Sequence, residues 1–345
     1  MTFLRRFLAS LLGLSAVVFF VFGTVNPFGW FWGHRFLTTT PITRGQKQIL
    51  LDAWQRQAPV QGLVMGSSQS MKLDPDTLSR RTGLRYFNFA VSAGRIEDDY
   101  ALLDYTAQRG IPTREIIVGV DPWMLGPGVL SHELLDDWEL APRVLDRRPT
   151  LLWKIGHGAR LIHQALTLSY AREVLTSIRA TRNHWTPLHT FFANGYMEYQ
   201  GRDRQRAAGT YPFNALLRQC LTDVRENTPA ASHLDSTEIG YLARTLDRAR
   251  GMGIAVILWI PPKHPSVYAM LDSVPEYRRW LGQAVDTIRS VAEAHGARFV
   301  DLSSIDKFGG DSLDWYDCMH YGAGNATRIT DRLLESHAAG PGAPR

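Results

Sequence analysis

Five short apolar runs, separated by stretches with helical spacing, constrain what this chain can fold into more than anything else in it. The runs are GLVMG (62–66), YFNFA (86–90), EIIVGV (115–120), IAVILWI (254–260) and RFVDL (298–302). Helical spacing of apolar residues covers 43–57, 74–81, 96–108, 237–250 and 277–294. Strands that are apolar along their whole length and alternate with helices belong to a parallel sheet covered on both faces. The expected fold class is therefore α/β: a five-stranded, doubly wound parallel sheet, with ligands beyond the carboxyl ends of its strands. One interval breaks the rhythm. Within residues 121–253, the stretch 151–179 reads as one long helix, and NHWTPLHTFFANGYMEYQGRD (183–203) as irregular and aromatic. The expectation is a largely helical insertion or cap over 121–253. It divides the sheet domain into 43–120 and 254–336, with a flexible tail at 337–345.

The N-terminus carries its own signal. From residue 7 to residue 25, FLASLLGLSAVVFFVFGTV contains no charge. At ~1.5 Å per helical residue, such a run nearly spans a ~30 Å hydrocarbon core. Arg5 and Arg6 precede it, and Trp30 and Trp32 follow where an interfacial aromatic belt is expected. A cleavable signal peptide requires a shorter apolar core and a small-x-small site, and none is evident. These features predict an uncleaved transmembrane anchor over 1–25 and a linker over 26–42. They imply a single-pass protein of the inner (cytoplasmic) membrane, with its catalytic domain in the periplasm or outside.

Composition removes several alternatives. The net charge is +5, but no Lys/Arg block interleaved with aromatics appears, so no nucleic-acid partner is expected. An oxidising compartment would permit Cys220 and Cys318 to pair, but their spacing does not show that they meet. Neither CxxC nor HExxH occurs, so no metal or other cofactor is expected.

Three loops fall where the strands should end. The first run leads into MGSSQS (65–70) and the second into NFAVSAGRIEDDY (88–100). The fifth leads, through a loop, to DWYDCMHYG (314–322). In a parallel sheet these loops share one edge, so Ser68, Gly94, Asp317 and His320 would converge. A serine hydroxyl is a poor nucleophile until a base takes its proton. His320 can be that base through one ring nitrogen. Asp317 can accept a hydrogen bond from the other and stabilise the imidazolium. The backbone N–H groups of Ser68 and Gly94 are the candidate oxyanion donors.

These motifs resemble the SGNH (GDSL-like) hydrolase superfamily. Gly66-Ser67-Ser68 stands where that family has its Gly-Asp-Ser-like block, which puts the nucleophile on Ser68. Gly94 matches the glycine after the second strand, and Asp317-Cys318-Met319-His320 matches the Asp-x-x-His block. The resemblance implies strand order 2-1-3-4-5 and the triad Ser68, His320 and Asp317. One block departs: GVDPW puts Asp121 where the family has an Asn donor, and an ionised Asp cannot donate. The GSS variant, the DPW and the apolar N-terminus look like the membrane-anchored proteins of cell-envelope acylation. Those act in teichoic-acid D-alanylation and in O-acetylation of alginate and other exopolysaccharides. What this narrower resemblance implies is an acyl, most simply acetyl, transferase with a polysaccharide partner and a multi-span membrane O-acyltransferase beside it.

Other readings share the same residues. With water as acceptor the protein is a carbohydrate or lipid esterase; without activity it is a glycan- or partner-binding scaffold. Ser67 and Ser68 also suit a strand-to-helix turn, Gly94 a turn, and Asp121 a cap. His264, in PPKHP after the fourth run, can contact substrate or close a turn. Trp123, Trp138, Trp153 and Trp185 suit a sugar-stacking surface or apolar packing.

Overall fold

The computed structural model describes residues 2–26, 43–146, 150–185, 190–227 and 233–338. Its strands are β1 (Gly62–Gly66), β2 (Tyr86–Asn88), β3 (Glu115–Gly119), β4 (Thr190–Phe191), β5 (Met197–Glu198), β6 (Ala255–Ile260) and β7 (Arg298–Asp301). Five of them form one parallel sheet in the order β2-β1-β3-β6-β7. Counted along the chain, that is 2-1-3-4-5.

The continuous apolar runs are explained by two covered faces. Alternate side chains of a strand point to opposite sides. Leu63, Met65, Ile116, Val118, Leu258 and Ile260 pack on one face with Leu102 and Leu103 of the helix Ile96–Gln108. Leu246 of the helix Ser236–Gly251 and Ile288 of Pro275–Ala294 complete that layer. Val64, Ile117 and Ile257, neighbours across the ladder, lie on the other face. There they meet Leu78 of Pro75–Thr82 and Ile329 of Ala323–Ala338.

Between β3 and β6 the chain departs from expectation in detail. The long helix expected over 151–179 is two, Leu151–Ala165 and Leu168–Arg182. Thr167 breaks it: its backbone is extended and its hydroxyl accepts from the N–H of Tyr170, capping the second helix. The aromatic stretch contains the β4–β5 hairpin and the start of the helix Gln200–Ala207. The hairpin docks on the sheet, since Asn88 N–H donates to Asn194 O at 2.9 Å and buried Lys47 donates to the carbonyls of Asn88 and Gly195.

The N-terminal expectation is corrected. Among the described residues, no helix is long and apolar enough to cross a membrane. The end of the helix Thr2–Val25 is a protein packing surface: Val25 is buried with Tyr170 and Val174, and the Tyr170 hydroxyl donates to Phe22 O at 3.3 Å. The transmembrane anchor, and the inner-membrane and periplasmic location that rested on it, are not supported. Trp30, Trp32 and residues 27–42 of the linker lie outside the described residues, as do residues 339–345 of the tail.

The sheet edge is crowded where β1 ends. Gly66 has φ +118°, and a Cβ there would stand 2.5 Å from Gly119 O and 2.7 Å from Ser70 Oγ. Both the left-handed backbone and the missing room demand glycine. Gly66→Ala is expected to destabilise the fold by ~1–3 kcal/mol. A lowered urea midpoint with an unchanged m-value checks this.

Candidate active site

Ser68 sits two residues beyond β1, half-buried, in the turn that Gly66 begins. The carbonyl of Ser67 accepts from the N–H groups of Ser70 (3.0 Å) and Met71 (3.3 Å), which tightens that turn. Ser67 itself is buried, so its part is to shape the turn. Gln69 then ties the turn to two remote loops. Its amide donates to Pro262 O at 2.7 Å and Met319 O at 2.8 Å, while Tyr321 donates its hydroxyl to Gln69 O at 2.6 Å.

The Asp-x-x-His loop is built around one carboxylate. Asp317 Oδ1 accepts from the backbone N–H groups of Met319 and His320, both at 2.8 Å. This local bonding turns the chain so that the imidazole folds back on the same carboxylate. His320 Nδ1 lies 2.9 Å from both Asp317 oxygens. An ionised carboxylate only accepts, so Nδ1 carries the proton and Nε2 is left as an acceptor. Ser68 Oγ stands 2.9 Å from Nε2, across 252 residues of sequence. A hydroxyl, an imidazole and a carboxylate thus form one continuous hydrogen-bonded chain.

Burial disfavours a charge on Asp317. The hydrogen bond and charge of His320 and the two backbone donors outweigh it and hold the carboxyl well below its ordinary range. A further cation reaches the same group: Arg202 donates to Asp317 Oδ2 at 3.2 Å. Tyr199 closes over the relay, its ring centroid 5.9 Å from that of His320.

The other expected residues take varied places. The N–H of Gly94 donates to Val91 O at 3.2 Å, so it serves its own turn rather than standing open as an oxyanion donor. A Cβ at Gly94 would come within 2.7 Å of Gly66 O, which explains the glycine. Among the described residues, the N–H of Ser68 has no acceptor. Asp121 is fully buried, accepts from Lys263 Nζ at 2.6 Å and caps the turn Pro122–Leu125 through Trp123 N–H. His264 is consumed by structure: Nδ1 accepts from Ser266 N–H, Nε2 donates to Ser312 O, and burial lowers its basicity. Trp123 packs under the Arg95 guanidinium, 5.5 Å from its ring centroid. No hydrogen bond or ring contact joins Trp123, Trp138, Trp153 or Trp185 to the relay among the described residues. Nor, among those residues, does any group of three or more His, Cys, Asp or Glu stand ready to hold a metal.

Sequence reasoning missed Arg202, Tyr199, Gln69 and Lys263. Only Lys263 left a signal: a lysine just past one buried strand, facing an aspartate just past its neighbour. Cys220 and Cys318 are joined in a disulfide, which places the covalent tie inside the Asp-x-x-His block itself.

No protein-family model matches the chain, and no curated protein does. Among solved structures it is similar to one from Bacteroides fragilis NCTC 9343, described as a "putative acylhydrolase". The TM-score is 0.39 and the identity 8%, over 83% of this chain and 93% of that one.

The depressed Asp317 carboxyl gives a pH signature. Its stabilisation is fully present above the unfolded value of about 4 and is lost as pH falls toward the lower folded value. The stability difference between wild type and Asp317→Asn is therefore expected to shrink below about pH 4, and urea melts across that range measure it.

Proposed function

We propose that this protein cleaves acyl esters through Ser68. The observation that carries this reading is the unbroken chain from Ser68 Oγ through the two nitrogens of His320 to Asp317. In the proposed reaction Ser68 Oγ attacks the acyl carbonyl and passes its proton to His320 Nε2. Asp317 stabilises the imidazolium, and the Ser68 N–H donates to the oxyanion. Collapse expels the alcohol, which takes the proton from His320 and leaves an acyl-Ser68 ester. A second hydroxyl compound then repeats the steps in reverse and regenerates Ser68.

The identity of that second compound separates hydrolysis from transfer. The His320 and Asp317 side chains are only partly buried, 22% and 15% exposed, so water can reach the relay. This supports hydrolysis as the default deacylation. Transfer of an acetyl group to a polysaccharide hydroxyl is the finer reading that the motif resemblance suggests. Residues 121–253 are read as a cap: Tyr199, Arg202 and Tyr211 of this interval stand against the relay loop, which supports its lining one wall of the site.

A fluorophosphonate probe is expected to label wild type at Ser68, with no label on Ser68→Ala and labelling slower by about a thousandfold or more in His320→Ala. Absence of wild-type labelling, with circular dichroism unchanged, defeats the proposal and favours a silent scaffold. For the acceptor, the wild type is given p-nitrophenyl acetate with and without neutral and acidic oligosaccharides. Hydrolysis predicts acetate release that the sugars do not alter. Transfer predicts acetylated oligosaccharide by mass spectrometry and a matching fall in free acetate.

A further inference from the structure

We propose that Arg202 is a positioning residue of the relay, held there by a clamp that residues 200–227 close on the Asp317 loop. The proposal rests on the reading of Ser68 given above but concerns a different group. His320 Nδ1 faces both Asp317 oxygens; Arg202 donates to Oδ2, while both backbone donors use Oδ1. The four donors together fix the rotation of the carboxylate, and with it the ring that it orients. Arg202 is itself fixed. Its guanidinium lies 4.5 Å from the Tyr199 ring centroid, and the Tyr199 ring meets Tyr316 and His320 edge-on.

The same segment grips the loop at several further residues. Tyr211 donates its hydroxyl to Tyr316 O at 2.6 Å, and Tyr316 donates its own to Asp203. Arg206 stacks 4.3 Å from the Tyr316 ring centroid and reaches Asp314 at 3.8 Å. Cys220, on the helix Phe213–Asn227, is bonded to Cys318, the residue after Asp317. Residues 314, 316, 317 and 318 are thus each held by a residue between 202 and 220. A loop with this many ties to one remote segment owes its geometry to that segment as much as to its own turn.

Arg202 also has an electrostatic role. It is a permanent cation on the carboxylate that stabilises the imidazolium, so it weakens that stabilisation. The other groups facing Asp317 are His320 and the hydroxyls of Tyr199 and Tyr211. Burial pushes both hydroxyls above their ordinary range, so they stay neutral through the working range. Removing Arg202 should therefore have two separable effects: a slower reaction from a misplaced carboxylate, and an acid limb moved to higher pH.

The test measures fluorophosphonate labelling rates of wild type, Arg202→Met and Arg202→Lys between about pH 5 and 9. Hydrogen exchange of the 311–322 peptide is measured on the same samples. Arg202→Met is expected to label on the order of ten- to a hundredfold more slowly. Its acid limb should move to higher pH. Arg202→Lys should return the limb toward wild type while recovering only part of the rate, since an ammonium lacks the planar fork. Exchange of the peptide should rise in Arg202→Met. Unchanged rate and limb in Arg202→Met overturn the proposal while leaving Ser68 catalysis standing. If wild type does not label at all, the Ser68 reading fails. Peptide exchange then decides the clamp alone, with faster exchange in Arg202→Met supporting it and equal exchange overturning it.

Discussion

A charged carboxylate taken out of water must be surrounded by donors, and Asp317 is the point where that requirement organises the rest of the site. Two of its donors come from its own loop, one is the ring of His320, and one is Arg202 from a segment 115 residues away. Removing any of them leaves the charge underpaired in a half-buried setting. The loop, the ring tautomer and the docking of residues 200–227 are consequently one electrostatic problem with one solution. The hydroxyl of Ser68 only has to arrive at the acceptor nitrogen that this arrangement leaves over.

Its arrival is the work of the sheet. Gly66 and Gly119 are paired at the ends of adjacent parallel strands, and the chain leaves both in the same direction. Ser68 and Asp121 thus emerge side by side, as do Pro262 and Lys263 beyond β6. Gln69 then bonds to the carbonyls of Pro262 and Met319, so the turn carrying Ser68 is referenced to both neighbouring loops as well as held by its own backbone. Parallel strands explain why residues remote in sequence can be held to hydrogen-bond distance.

How much of this was legible follows from which interactions are local or periodic. The strands could be read because burial on both faces makes them apolar throughout, and the observed strands begin and end within two residues of those runs. Beyond Asn88 the chain still bonds to β1, Phe89 N–H to Val64 O and Val91 N–H to Gly66 O, while the Asn88 side chain donates to Ser70 O and Leu73 O and accepts from Ala90 N–H. The break at Thr167 was hidden, since threonine is tolerated within a helical pattern and only its cap bond reveals the stop. The apolar N-terminal run shows the limit of composition: its last turn packs on Tyr170 and Val174, partners that no local window contains. The pair of Asp317 and His320 was legible from spacing because its geometry is a property of one turn. Arg202 was not, because nothing in a run of helical arginines marks the one that meets a carboxylate.

The buried carboxylate of Asp121 has a physical account in its partner. Alone, a buried carboxylate would carry a large desolvation cost. Lys263 offsets that cost, and the two side chains, 1% and 7% exposed, form a pair that joins the ends of β3 and β6. A buried pair of this kind contributes little net stability, since desolvation offsets most of the attraction. With the Gly94 N–H bonded to Val91 O, the Ser68 N–H is the one open donor among the candidate groups. An oxyanion-hole donor is typically worth about a hundred- to a thousandfold in rate. If Ser68 reacts as proposed, the relay is better built for proton transfer than the surrounding backbone is for holding an oxyanion. On the proposed reading of Ser68, such a balance suits acyl donors with good leaving groups, whose transition states place less charge on the carbonyl oxygen, better than unactivated esters.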